Sequence, residues 1–323
     1  MSPRRLLLPL IVLMLVACQN AGTSSPSVAL RPVTLLLGFR PDVQFAPFYL
    51  AQRAGYFADA GLDVSIEFKD ASDVLVLVAD GQAEFGVADA TDVMIGRTSG
   101  IPVKYISTLY DHFPVALIGP RGSVPSEPAE LAGMRIGTPG EFGSSWHALL
   151  ALLDAGGMTP DDVVIRGYPQ FNQVQGLLNG DVDMITGFRN NEPLRLEGEG
   201  MAVDLLTLDD LAPLPGPGLI AGDDLLASDP ALATEFARAI IRALVAIAAN
   251  PEVGLDAAVA AVPAIGEDRA TAFAVLEATV ELWSQDGAID TSVWTSGYET
   301  MLRLGFIDGS VPLDDMIEAI ASP

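Results

Sequence analysis

The sequence predicts an α/β fold of two lobes joined by two crossings, with a helical C-terminal part. Three observations carry that prediction. Short apolar runs of strand character alternate with helical patterns from Val33 to about Thr207. The turn-rich stretch Pro120 to Pro128 and the proline-rich stretch Ala212 to Gly218 interrupt the alternation, as two passages between lobes would. Beyond Asp229 only helical periodicity remains. The division that follows puts residues 33–117 and 212–323 in the first lobe and 118–211 in the second.

Val33-Thr34-Leu35-Leu36-Leu37 reads as a short buried strand that stops at Gly38. The loop after it holds Phe39, Pro41, Gln44, Phe45 and Pro47, rich in rings and poor in charge. Tyr49 to Phe57 has helical spacing, Gly61 ends the helix, and Asp63 to Phe68 reads as the next strand. The loop thus lies at the carboxyl end of a strand in a βαβ unit, where open α/β sheets bind small ligands. A flat, uncharged ligand held by rings is the expectation. Ala71 to Ala79 continues as helix, and Gly81 to Val87 as turn and strand leading into Asp89 and Thr91. Val103 to Leu109 is a strand, followed by Tyr110-Asp111-His112-Phe113-Pro114 and the apolar run Val115 to Ile118.

A second α/β series opens with strand Arg135-Ile136-Gly137, the loop Thr138 to Gly143 and a helix capped by Ser144 or Ser145. Val163 to Tyr168 is a strand ending in Pro169-Gln170-Phe171, Val174 to Leu178 is helical, and Val182 to Phe188 is a strand. The polar run Arg189-Asn190-Asn191-Glu192 follows directly. Past the return crossing, Asp229 caps a helix with Pro230 in its first turn, and the apolar Ala231 to Ala249 reads as a buried core helix. Asp268 to Trp283, Ser292 to Arg303 and Leu313 to Ile320 fit further helices.

The amino terminus carries Arg4 and Arg5, the apolar run Leu6 to Val16, then Ala17-Cys18. That is the pattern of a secretory signal, too short for a membrane span of about 20 apolar residues. Leu15-Val16-Ala17-Cys18 also resembles the lipobox of bacterial lipoproteins, and Cys18 is the only cysteine of the chain. The expectation is a signal peptide over 1–17, a lipidated Cys18 and a flexible tether over 18–32. Such a protein is anchored to the cell membrane, faces out of the cytoplasm and is held by its core rather than by disulfides. The formal charge of −25 repels nucleic acid and anionic headgroups, so nucleic-acid binding is excluded. A hydrophobic content of 50% supplies an ample core.

Leu37 to Asp42, Ala46-Pro47-Phe48-Tyr49-Leu50-Ala51, Gly55-Tyr56-Phe57 and Gly61-Leu62-Asp63-Val64 resemble the solute-binding proteins of the thiamine-pyrimidine-precursor type. So do Gly81 to Val87 and Leu131 to Gly140. The resemblance runs from about residue 33 to 200. It implies a type II periplasmic-binding-protein fold and a role feeding an ABC importer, with its permease and ATPase subunits as partners. The family's first loop usually has Trp at Phe39, Asn at Asp42 and His at Phe45. Phe45 cannot hydrogen-bond to a pyrimidine, so the departure favours a larger, more apolar ring system. Riboflavin-binding proteins of a related importer group carry a loop similar to Pro41-Asp42-Val43-Gln44-Phe45-Ala46-Pro47-Phe48-Tyr49. The resemblance therefore implies riboflavin as ligand, a neutral molecule and not a cofactor. A thiamine pyrimidine precursor (hydroxymethylpyrimidine or formylaminopyrimidine type) and a sulfonate- or nitrate-type anion are the alternatives.

The candidate ligand residues each have a plainer role beside them. Phe39 and Phe45 either hold the ligand ring or plug the core, and Tyr49 either reaches the ligand or faces the sheet. Gln44 is a ring-edge donor and acceptor or an exposed loop amide. Asp89 and Thr91 reach the cleft or cap a helix, and Tyr110 and Asp111 serve the hinge or the ligand. Phe142, Ser144 and Ser145 sit at a helix start, where Glu141 argues against phosphate and for hydroxyl contacts. Asn190, Asn191 and Glu192 are the second-lobe candidates. Catalysis is not expected: the histidines are His112 and His147, and no mature free thiol remains for a nucleophile or a cysteine zinc site. Ser144, His147 and Asp154 share one helix, a spacing that assembles no triad.

Overall fold

The computed structural model describes residues 29–320. The expected signal peptide, the lipidated Cys18 and most of the tether lie outside them. The first lobe begins with β1 (Arg31–Leu37), α1 (Ala46–Arg53), α2 (Tyr56–Asp59), β2 (Leu62–Phe68), α3 (Ala71–Ala79), β3 (Phe85–Ala88), α4 (Ala90–Thr98) and β4 (Val103–Thr108). The second lobe holds β5 (Val115–Pro120), β6 (Arg135–Thr138), α5 (Gly143–Ala155), β7 (Val164–Gly167), α6 (Gln173–Leu178), β8 (Met184–Phe188), α7 (Glu192–Gly198) and β9 (Val203–Thr207). The chain then returns through β10 (Gly218–Gly222), α8 (Asp223–Ser228), α9 (Pro230–Ala249), α10 (Pro251–Ala261), α11 (Arg269–Val280) and α12 (Thr291–Arg303).

Each lobe is built on one mixed sheet, ordered β2-β1-β3-β10-β4 and β7-β6-β8-β5-β9. β1 runs parallel to β2 and β3, whereas β10 runs antiparallel to β3 and β4. In the second sheet β6 is parallel to β7 and β8, and β5 is antiparallel to β8 and β9. The counter-running strand is thus, in both lobes, the one entered directly from the other lobe. One face of the first sheet packs on α1, α9, α10 and α11, and the other on α3, α4 and α12. The fully buried Phe236 of α9 stacks between Phe57 and Phe85, with centroids 5.4 and 4.0 Å away. That confirms α9 as a core helix, capped by Asp229, whose side chain accepts from the Leu232 N–H at 3.1 Å. No helix among the described residues is long and apolar enough to cross a membrane.

Several local expectations are corrected. Val115–Pro120 pairs with β8 and β9, so the first crossing is Leu109 to Pro114 and the turn-rich Pro120 to Pro128 lies inside the second lobe. The strand needs partners on both sides, and only the second sheet supplies them. The helix expected over Tyr49 to Phe57 starts earlier, at Ala46, and breaks at Gly55, whose φ of 77° leaves the helical region. Leu313 to Ile320 is a single tight turn at Leu313–Asp315, after which Ile317 bridges to Tyr105 at the sheet edge. β10 and α10 were not expected. β10 is glycine-rich because the Tyr105 ring occupies the space beside Gly218, where an added Cβ would lie 2.1 Å from it.

Candidate ligand-binding cleft

The lobes meet through the loops that follow β1, β3, β6, β7 and β8, and around these loops three sets of contacts cross between them. The first joins Gln44 to Asn190. Asn190 Nδ2 donates to Gln44 Oε1 at 2.8 Å and to Thr279 Oγ1 of α11 at 2.7 Å. Asn190 is only 1% exposed, and its Oδ1 is buried without a partner. Asp42 fixes Gln44 from behind, its Oδ1 accepting from the Gln44 backbone N–H at 3.1 Å and from Nε2 at 3.2 Å. The sequence places these groups well: β1 ends at Leu37, and Asp42 caps the turn Val43–Phe45 that turns the Gln44 amide to the second lobe.

Next to this bridge lies an apolar cavity of about 20 Å³, lined by Gln44, Phe45, Phe48, Tyr110, Leu244 and Trp283 among others. Phe45 also packs on Phe48 and Phe68, so it serves the core and the cavity together. Tyr110 meets Trp283 edge to face at 6.4 Å. On the far side of Asn190 a groove of about 370 Å³ opens between His112, Arg189, Leu205, Asp209 and Glu281. Arg189 is tied to Asp209 at 2.6 Å.

The second set lies where α4 faces α5. Thr91 Oγ1 and His147 Nδ1 share a hydrogen bond of 2.9 Å, and Asp92 Oδ1 stands 3.8 Å from the same nitrogen. Phe306 covers the imidazole edge-on at 4.7 Å. Burial lowers the His147 pKa to about 4, so the ring is neutral at physiological pH. Burial, then the charge of Asp89, lifts Asp92 to about 8. Asp89 is likewise raised by burial, while hydrogen bonds from the Ser144 side chain and backbone pull it the other way.

The third set is aromatic. The Phe39 ring meets Phe171 of the β7–α6 loop edge to face, with centroids 6.0 Å apart, and the Arg40 guanidinium lies 5.2 Å from the Phe39 centroid.

The structure therefore brings Gln44, Phe45, Tyr110 and Asn190 together, and Asp89, Thr91 and Ser144 in a separate group. The other expected residues lie elsewhere. Tyr49 is buried in the first core, its hydroxyl without a partner and its pKa raised by burial and by Asp42. The Asp111 side chain is exposed, and its backbone N–H donates to the Leu282 carbonyl along the crossing. Phe142 is exposed at the start of α5 with its ring over Gly140, and Ser145 is half-buried beside it. Asn191 Oδ1 accepts from Arg195 Nε at 2.9 Å, and Glu192 Oε2 accepts from the Phe188 N–H at 2.7 Å. Both side chains hold α7 on its own lobe, and burial raises the pKa of Glu192. Trp283, Leu244, Thr279 and Phe171 were missed. The first three belong to the helical C-terminal part, whose periodicity announces packing and gives no sign that it reaches back to the cleft.

Residues 42–253 match the family described as NMT1/THI5 like. The riboflavin-binding protein RibY of Chloroflexus aurantiacus is 32% identical over 329 residues, covering 94% of this chain and 93% of its own. A 4-amino-5-hydroxymethyl-2-methylpyrimidine phosphate synthase of Uromyces fabae is 32% identical over 192 residues, which is 56% of this chain and 55% of the enzyme. Among solved structures, the periplasmic aliphatic sulphonate binding protein SsuA of Escherichia coli superposes with a TM-score of 0.72 at 12% identity, covering 91% of this chain and 94% of that one. That likeness concerns the fold, a periplasmic-binding fold of two α/β lobes. With more than half of its length matched and a relative aligned across both lobes, the chain belongs to the NMT1/THI5-like family.

Proposed function

We propose that the protein is the solute-binding lipoprotein of an ABC importer, anchored outside the cytoplasm through Cys18, and that it binds riboflavin and delivers it to the permease. The observation that carries the reading is the loop Asp42–Phe48. It offers the Gln44 amide to the lobe interface, where Asn190 answers it from the other lobe, and sets the Phe45 ring on a first-lobe cavity beside that bridge. Rings for the isoalloxazine and amides for its hydroxyl-bearing ribityl chain are what such a ligand needs. The relative aligned over both lobes is named for riboflavin, which supports the choice.

The charge distribution supports a neutral ligand. Asp42 borders the interface beside Gln44, and Arg189 is engaged by Asp209. A sulfonate or nitrate would meet Asp42 there and find Arg189 already paired. A pyrimidine precursor is the second reading, favoured by the relatives named as pyrimidine phosphate synthases; Phe45 weighs against it because a phenyl ring offers no hydrogen bond. Binding rather than turnover also fits His147, neutral and covered between α4 and α5.

Pockets for such ligands have about 300–1,000 Å³, and the cavity at Phe45 has about 20 Å³. The lobes must part to admit the ligand and close again around it, a hinge motion at the crossings Leu109 to Pro114 and Leu208 to Pro217. Titrating the full chain against riboflavin fluorescence tests the reading. Quenching with micromolar affinity or tighter is expected, and Phe45→His is expected to weaken it about tenfold, the loss of one ring contact of about 1.4 kcal/mol. Hydroxymethylpyrimidine binding without riboflavin quenching would replace this ligand with the pyrimidine.

A further inference from the structure

We propose that Phe171, Gln173 and Thr186 form the second-lobe half of the ring slot, with Phe171 closing on the ligand opposite Phe39. The inference rests on the flavin reading above and names the residues of the second lobe that complete it.

Four observations converge. Phe171 follows β7 at its carboxyl end, the position from which α/β lobes present ligand groups. Its backbone has φ 55°, the one positive value among the described non-glycine residues. A bulky side chain is strained there, and such strain persists at sites where the surrounding structure needs the side chain in that place. The ring is also poorly used by the core: Phe171 is 49% exposed. Its ring meets Phe39 of the other lobe, at 6.0 Å and 75°.

A third ring between these two needs about 7–8 Å from plane to plane, two carbon–carbon contacts of about 3.5–4 Å each. At 6.0 Å the slot is shut. The two rings stand edge to face at 75°, so when the lobes part Phe171 also turns to face Phe39 across a planar space. Phe171 then occupies in the shut form the place that a flat ligand takes in the loaded one.

Gln173, two residues on, and Thr186 of β8 carry buried polar groups that the fold leaves unanswered. Gln173 is 3% exposed at the first turn of α6, and Thr186 is 1% exposed on β8. Gln173 Nε2 donates to the Thr186 carbonyl at 3.4 Å, yet Gln173 Oε1 and Thr186 Oγ1 are both buried without partners. Unpartnered buried polar atoms are costly and call for an explanation. The amide oxygen accepts and the hydroxyl donates, which suits a ring edge that carries an N–H next to carbonyls, as the pyrimidine edge of an isoalloxazine does.

The test uses the full chain with riboflavin and with lumichrome, the ring system without its polyol. Phe171→Ala is expected to weaken both ligands about tenfold or more, and Phe171→Trp to restore both. Phe171→Gly is expected to lose the same affinity while its melting temperature holds or rises, because glycine adopts φ 55° without strain. Gln173→Leu is expected to weaken both ligands by a similar factor. If wild-type protein binds riboflavin and the Phe171 variants stay within twofold of it, the inference falls and the flavin reading stands. If wild-type protein binds neither compound, both fall together.

Discussion

Asn190 shows how far a single side chain can be read before its surroundings are known. Its position after an apolar strand marks it as a cleft residue, and the structure puts it on Gln44 of the other lobe. Its second bond, to Thr279, was not legible, because that partner lies 89 residues away in a helix with an ordinary packing pattern. Asn191 and Glu192 have the same sequence context but turn inward to Arg195 and to the Phe188 N–H. Adjacent residues point in different directions at a strand end, and the sequence does not say which one crosses the cleft. Asn190→Ala strips a partner from both Gln44 and Thr279. Urea unfolding is expected to show a loss of about 1–3 kcal/mol, the cost of buried polar groups left unpaired. A loss below about 0.5 kcal/mol would show that the two bonds are not sustained in solution.

The alternating elements were largely legible from strand-like runs and helical spacing, β1 with its aromatic loop above all. The failures have physical causes. β10 is five residues of Gly-Leu-Ile-Ala-Gly, kept small by the Tyr105 ring, so it carries little strand signal. β5 was assigned to the wrong lobe because an apolar run does not announce its hydrogen-bond partners. The contact of α4 with α5 was hidden for a related reason: Thr91 and Ser144 look like two helix starts, and nothing local says that they face each other. That contact has a definite response to pH. Asp92 keeps its proton in the fold up to about pH 8, whereas the unfolded chain gives it up near 3.8, so stability falls as the pH rises towards 8. His147 acts in the opposite sense between about 4 and 6.5, where only the unfolded imidazole takes a proton, and there it offsets Asp92. The melting temperature is therefore expected to climb from pH 8 to pH 6.5 and to level off below. Asp92→Asn is expected to flatten the upper limb and to gain about 1 kcal/mol at pH 8. An unchanged slope in scanning calorimetry would remove Asp92 from this role.

At the scale of the molecule, the two-lobed plan was legible from the alternating elements and the proline-rich return Ala212 to Gly218. The first passage, however, falls at Leu109 to Pro114 and not at Pro120 to Pro128. The state of the lobes was not legible. Sequence patterns fix which faces are apolar, but closure depends on a few contacts whose partners lie far apart in the chain. One such contact is far from the cavity: Arg303 of α12 pairs with Asp154 of α5 at 3.1 Å, and both side chains are substantially exposed. An exposed pair of this kind holds the lobes by no more than about 1 kcal/mol. Arg303→Ala leaves the ligand groups alone and shifts the balance towards the parted form. Apparent affinity for the ligand is then expected to tighten by up to about fivefold, because the binding-competent fraction rises. Small-angle scattering of the unliganded variant is expected to show a larger radius of gyration. Weaker binding with unchanged scattering would assign the pair to the loaded state instead.

The contacts that hold the two lobes together have a consequence for timing. A receptor that rests closed must first come apart by itself, a unimolecular event whose frequency belongs to the protein. Below that frequency, capture follows how often ligand arrives. Above it, adding ligand gains nothing, and the observed rate in rapid mixing reaches a plateau set by the parting of Phe39 from Phe171 and of Gln44 from Asn190.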